Sequence, residues 1–427
     1  MKKKRNIIIL IVSILLVIGI AVGLFFLLND KNKLTVVERN WINNNIGTIQ
    51  NVNVLNNVNV FGKDGSGVFY DFIKDFESEY ELDINPITFN YGNNPSGITF
   101  GVNNKVNDTD TLFYTDHYVL VGKNNDIVTS IEDLNGKTIG ILSNDLSYVS
   151  KYIKKASNVS FKQFDNEDEL ISDMNSDLNY MLVPLMKYMD TILSKDYKIL
   201  YHFSDIKEYY VLSVKDDTLS SVLKKYFNKW KDNFEKVYNN NLFKTFTSSM
   251  NISDTEVDSM QSITYNYGFV NASPYEVIIG GKYGGIIAVY LSNFSKFADV
   301  EFNFVKYKNF NKFTNAVKNK NIDLYFNYYN FVDDFYQTDG LMIEYVVAAE
   351  RKNNNVIKSI DSLIGETVYV QENSKIYDYV KNISDVNVKT FSTTKELFKL
   401  NKKDVYIVLD KNTFDYYSEN GLDNYTA

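Results

Sequence analysis

Two stretches of this chain repeat one another: YVLVGKNNDIVTSIEDLNGKTIGI over residues 118–141 and YVVAAERKNNNVIKSIDSLIGETVYV over residues 345–370. The offset is 227 residues between Tyr118 and Tyr345, and 229 between Gly136 and Gly365. Upstream, GVFYDF from Gly67 matches GIIAVY from Gly285. Downstream, Phe164-Asp165 before a helical ELISDMN matches Phe391-Ser392 before KELFKLN. These matches, in one order, predict two copies of one domain, over residues 33–250 and 258–427.

Within a copy, strand and helix patterns alternate. Leu34–Glu38 reads as a first short strand, and Val68, Phe69, Phe72, Ile73 and Phe76 fall on one helical face. Ile87–Asn90, Tyr118–Val121 and Thr138–Leu142 read as strands, and Asn166 as the N-cap of a helix with Leu170, Ile171 and Met174 inward. Thr218–Phe246 has helical period with Val222, Leu223, Tyr226, Phe227 and Trp230 on one face, and Gly280-Gly281 reads as a turn. Strands alternating with helices predict an α/β fold with parallel sheets.

The 427 residues allow two to four domains, at 44% hydrophobic and 23% charged. No cysteine is present, which excludes disulfides, thiol nucleophiles and thiolate metal sites, as well as a lipid carried on sulfur. Two histidines, His117 and His202, leave little for a metal centre or a Ser/His triad. A net charge of −8 argues against nucleic acid as partner.

Met1–Arg5 reads MKKKR, and residues 7–28 are an uncharged apolar run. At about 1.5 Å per residue that run is long enough to cross a hydrocarbon core of roughly 30 Å. With the cations ahead of it, it predicts a single-pass plasma-membrane anchor over residues 1–30, N-terminus cytoplasmic and the bulk of the chain extracytoplasmic. A cleaved signal peptide is the rival reading, though its apolar region is usually shorter and ends in small residues.

The order of these segments, with Gly67-x-x-x-Asp71, the aromatic FYTDHY at Phe113–Tyr118 and above all DLNGKTIG at Asp133–Gly140, resembles the family-three bacterial extracellular solute-binding proteins. The second copy keeps the spacing at Ser362–Val368 without the Asp and Lys. The resemblance implies tandem two-lobed clamshells of the type II periplasmic-binding-protein kind, each closing on a ligand between its lobes.

Strand ends and helix N-termini are where such a cleft gathers its groups. Glu38, Arg39 and Trp41, at the end of the expected first strand, are therefore candidate ligand contacts, as are Ser143, Asn144 and Ser147 after the strand Thr138–Leu142. Amino-acid binders of the family carry T-x-x-R before the hinge strand. Here Val102–Asp110 offers only Lys105, a point charge without the arginine's fork, and Phe331–Tyr336 offers no cation. The family's second-lobe acid aligns with Asp410, and with Pro184 in the first copy. Neither copy carries the whole zwitterion pair, so a different small polar ligand or a non-binding copy enters the reading.

After Pro184 the first copy runs on 65 residues to Ser249, whereas 17 follow Asp410. The second copy is thus expected to lack the equivalents of the return crossing at Tyr209–Val214 and of the long closing helix. Capture of a small polar solute for ABC-type import, with a permease partner, is the leading functional expectation. The alternative is the sensing portion of a transmembrane signalling protein with a cyclase or kinase output domain. No paired catalytic carboxylates, nucleophile motif or cofactor fingerprint is found, so neither an enzyme nor a cofactor is expected.

Overall fold

A computed structural model describes residues 32–124, 126–153, 158–328, 336, 338, 343–350, 360–372, 374–401 and 405–427. The anchor segment 7–28 and Phe331–Phe335 lie outside the described residues, and among those described no helix is long and apolar enough to cross a membrane. The chain divides into two compact units, Met1–Asp254 and Thr255–Ala427.

The first unit opens on a helix where a strand was expected. Val36–Asn45 (α1) begins at Thr35, whose side chain accepts from the Glu38 N–H while the Glu38 carboxylate accepts from the Thr35 N–H. This reciprocal capping box outweighs the strand preference of Val36-Val37. The first strand is instead β1 (Ile49–Leu55), followed by α2 (Val68–Tyr80), β2 (Asp83–Phe89), β3 (Ile98–Asn103) and β4 (Thr111–Gly122). Then come β5 (Thr138–Leu142), α3 (Ser143–Val149), β6 (Ser160–Phe164), α4 (Glu167–Asn175), β7 (Tyr180–Pro184), α5 (Leu185–Ser194), β8 (Lys198–Ser213) and α6 (Asp217–Ser249). Asn166 caps α4 as expected, accepting from the Glu169 N–H.

All eight strands form one sheet in the order β2-β1-β3-β8-β4-β7-β5-β6. Its two long antiparallel strands, β4 and β8, carry the rest. Strands β1, β2 and β3 lie on one side with their own core, built from Phe69, Phe72, Phe100 and Phe113 against Tyr226, Phe227 and Trp230 of α6. Strands β5, β6 and β7 lie on the other, and their sheet is cored on both faces, around Leu120 and Ile141 on one and Val121 and Met181 on the other. Two lobes result, joined by β4 and β8. At the boundary the pairing slips: His117 faces Lys207 but Tyr118 faces Phe203, so β8 bulges over Ser204–Ile206.

In the second unit, α7 (Asp254–Gln261) leads into β9 (Thr264–Phe269), β10 (Val277–Ile279), β11 (Lys282–Gly284), α8 (Ile286–Ala298), β12 (Glu301–Lys306) and α9 (Phe310–Lys318). The remainder is β13 (Tyr345–Glu350), β14 (Thr367–Gln371), α10 (Lys375–Lys381), β15 (Asn387–Phe391), α11 (Thr394–Leu400), β16 (Tyr406–Asp410), α12 (Lys411–Tyr417) and β17 (Tyr425–Thr426). Strands β9 and β12 pair in parallel, and a five-stranded sheet runs β15-β14-β16-β13-β17. The expected Gly280-Gly281 turn joins β10 to β11, with both glycines at positive φ.

Helices α2 and α8 match in detail. Each has 13 residues and starts after a glycine, Gly67 at φ 110° and Gly285 at φ 103°. A Cβ there would lie 2.6 Å from the Phe61 carbonyl carbon or 2.4 Å from the Tyr275 carbonyl oxygen, so only glycine fits. Their outer faces differ. Phe72 of α2 is buried under α6, whereas Val289 and Tyr290 of α8 are 62% and 60% exposed.

α1 is pinned to α6 by the Glu38–Lys225 ion pair at 2.8 Å and by the Ser221 hydroxyl. Burial alone would raise the Glu38 carboxyl, but donors from Lys225, Ser221 and Thr35 outweigh it and hold it at about 2. Replacing Lys225 with Ala leaves that carboxylate buried without its cation. Denaturant titration near neutral pH should show about 1–3 kcal/mol lost, the order of a hydrogen bond to a charged group, with Ser221 and Thr35 still donating. The loss should shrink as pH falls below the ordinary carboxylate range toward 2, where Glu38 takes a proton. A variant as stable as the parent contradicts this placement.

Candidate functional site

Where β4 and β8 cross between the lobes, the first unit buries two acids and half-buries a third. Strand β4 contributes Asp116 and Tyr118, each 1% exposed, and β8 contributes Glu208, 3% exposed. Asp116 is held by backbone donors, the N–H of His117 at 2.8 Å and that of Met186 at 2.9 Å at the start of α5. Glu208 accepts two phenols on one oxygen: Tyr118 at 2.9 Å, and Tyr91, from the lobe that holds β1 to β3, at 2.5 Å. Its other oxygen, Oε2, is buried with no hydrogen-bond partner, and so are the hydroxyls of Tyr188 on α5 and Tyr210 on β8. The third acid is Asp145 in the first turn of α3, close to the Tyr118 hydroxyl.

Burial pushes all three acids up: Glu208 to about 8, Asp116 to about 7 and Asp145 to about 6. For Glu208 the neighbouring Asp116 and Asp145 add to the rise, against the lowering hydrogen bonds of Tyr91 and Tyr118. Lys187 of α5 sits 5.6 Å from the Tyr91 ring, but its ammonium is committed to Glu167. The junction therefore concentrates acid and phenol, and the arrangement suits a donor group entering from outside the chain.

The residues singled out from sequence sit elsewhere or face other ways. Glu38, Arg39 and Trp41 lie on α1 and not at a strand end: Glu38 pairs with Lys225, Arg39 donates to the Leu34 carbonyl, and Trp41 packs against the apolar core of α2 and α6. Lys105 is exposed in the loop after β3. The turn after β5 does open a helix, yet Ser143 donates to the Phe164 carbonyl and to Asp165, while Asn144 and Ser147 are exposed. The acid at the junction is the residue between them, Asp145, for which Asn144-Asp145-Leu146 carried no distinguishing signal.

In the second unit Asp410 caps α12, accepting the Thr413 N–H. It also accepts the Tyr275 phenol at 2.9 Å on that oxygen and the Tyr328 phenol at 2.7 Å on the other. Glu276, raised to about 8 by burial, accepts from Tyr267 and Tyr283. Here the acids are met by the chain's own hydroxyls.

No protein-family model matches the chain, and no curated protein sequence matches it. Solved structures do. A VC protein is similar at 12% identity and TM-score 0.50 over 89% of each chain. The periplasmic domain of BvgS from B. pertussis is similar at 13% identity and TM-score 0.40, over 90% of this chain and 82% of that one. The amino acid ABC transporter substrate-binding protein AbpA from Streptococcus pneumoniae, bound to L-arginine, is similar at 17% identity and TM-score 0.39, over 49% of this chain and 98% of that one. The likeness is one of fold.

The raised acids predict a pH dependence with a definite sign. An unfolded chain gives up these protons near pH 4, whereas the folded junction keeps them until about pH 6 to 8. Between those limits the native state binds more protons, so stability falls as pH rises. Thermal melts at steps from pH 4 to 9 should decline, and Glu208→Gln, which cannot ionise, should decline less steeply. Equal slopes for the parent and the variant contradict the assignment.

Proposed function

We propose that the chain is an extracytoplasmic solute-binding protein whose first unit captures a small polar molecule by closing its two lobes. One observation carries the reading. Two separately cored lobes meet at the β4–β8 crossing and where α5 packs on α6, and at that crossing Glu208 Oε2 and the Tyr188 and Tyr210 hydroxyls are buried without a hydrogen-bond partner although Tyr91 and Tyr118 meet the other Glu208 oxygen. A core built for stability alone leaves few such groups, because each costs free energy. Ligand sites place them where a solute completes the set.

In this reading the two units are tandem copies of one domain, matched at Gly67 and Gly285 and in helices α2 and α8. Residues 7–28 hold the chain to the plasma membrane, and the work is binding and not catalysis. Import by an ABC-type permease is the first use of such a protein. Sensing for a cytoplasmic output domain is the second, favoured by the paired oxygens of Asp410: a unit that satisfies its own acid without ligand suits a relay better than a carrier.

The lack of cysteines makes the motion measurable. Ser78→Cys on α2 and Asp168→Cys on α4, both exposed and one in each lobe, accept a pair of spin labels on an otherwise unreactive chain. Across a panel of amines, amino acids and sugars, at least one solute should shift and narrow the interlobe distance. A single fixed distance that no solute moves contradicts the proposal.

A further inference from the structure

The junction of the first unit also carries information about what it accepts. Glu208 has spent Oε1 on Tyr91 and Tyr118, while Oε2 has no partner. The titratable groups near enough to act on its charge are Asp116 and Tyr118 from β4, Asp145 from α3, Tyr188 from α5, Tyr210 from its own strand and Tyr91 from the opposite lobe. None of these is a cation. The ammonium of Lys187, 5.6 Å from the Tyr91 ring, is bound to Glu167. Arg39, the one arginine among the described residues, is on α1 donating to a backbone carbonyl.

Resting on the clamshell reading, we propose that this junction takes a small organic cation, a molecule with a protonated primary amine and no carboxylate, whose ammonium donates to Glu208 Oε2. A carboxylate ligand would be desolvated beside acids with no counter-charge to meet it. A neutral hydroxyl could reach the same oxygen, but a charge-assisted hydrogen bond is roughly twice as strong as a neutral one. The phenol rings add faces on which a cation is stabilised, and the free hydroxyls of Tyr188 and Tyr210 offer oxygen acceptors for the remaining ammonium hydrogens. In the second unit both Asp410 oxygens are occupied by phenols, so that acid offers no equivalent.

The test is isothermal titration of the full chain with ethanolamine, putrescine, glycine, propionate and glucose. Ethanolamine or putrescine should bind, glycine at least tenfold more weakly, and propionate not at all. Binding should release protons, seen as a heat that varies with the buffer's ionisation enthalpy, because the arriving cation ionises Glu208. Glu208→Gln should cost at least tenfold in amine affinity. If that variant does not fold, Asp145→Asn, nearer the rim, should weaken amine binding in the same direction, and the selectivity of the parent chain stands as an independent readout. Tight binding of glycine, propionate or glucose with amines excluded overturns this inference and leaves the clamshell intact. Amine binding that ignores Glu208→Gln overturns the site. If no probe binds and the spin-label distance stays fixed, both fall.

Discussion

Burying acids where two strands cross constrains everything around them. Strands β4 and β8 must run the length of the first unit to hold both lobes, and at their midpoint they carry Asp116, Tyr118 and Glu208 inward. A buried carboxyl is tolerated when it is protonated or met by donors. Asp116 has two backbone N–H donors, which fixes α5 against β4, and Glu208 has two phenols, one reaching from the opposite lobe. The lobes are thus tied together through polar contacts whose strength depends on proton occupancy. An apolar seam would hold them regardless of pH or solute.

Much of the fold was legible in the sequence because hydrophobic period reports burial directly. The face Val222, Leu223, Tyr226, Phe227 and Trp230 is buried in α6, and Thr138–Leu142 is a strand to the residue. The start of the first unit departs from expectation because Val36-Val37 has strand preference, while Thr35-x-x-Glu38 spells a capping box and wins. The first strand therefore falls later in the chain, and Glu38, Arg39 and Trp41 lie on a helix. The junction itself was hidden for a different reason. Asp116, Asp145 and Glu208 are separated by 29 and 63 residues, and no local pattern marks an acid that becomes buried only when distant strands pair. The aromatic FYTDHY did mark the place, with Asp116 and Tyr118 inside it.

The two units solve one problem in opposite ways. In the second, Tyr275 and Tyr328 close on Asp410 and no oxygen of that acid is left over. In the first, the position matching Asp410 is Pro184, just before α5, and two of the junction's acids, Asp116 and Glu208, sit on the crossing strands. In the proposed reading, a charge at the hinge sits where opening and closing would change its solvation most, and a solute that stabilises the charged form would act on lobe position by its differential affinity for the two arrangements.

The most direct test of the account is a high-resolution crystal structure of the chain saturated with a solute that it binds in solution. The account predicts that solute between the lobes, with a polar atom at hydrogen-bond distance from Glu208 Oε2 and contacts to Tyr91 on one side and to α3 on the other. A solute bound elsewhere, with the β4–β8 junction sealed and the Glu208 oxygen met by ordered water, would contradict it.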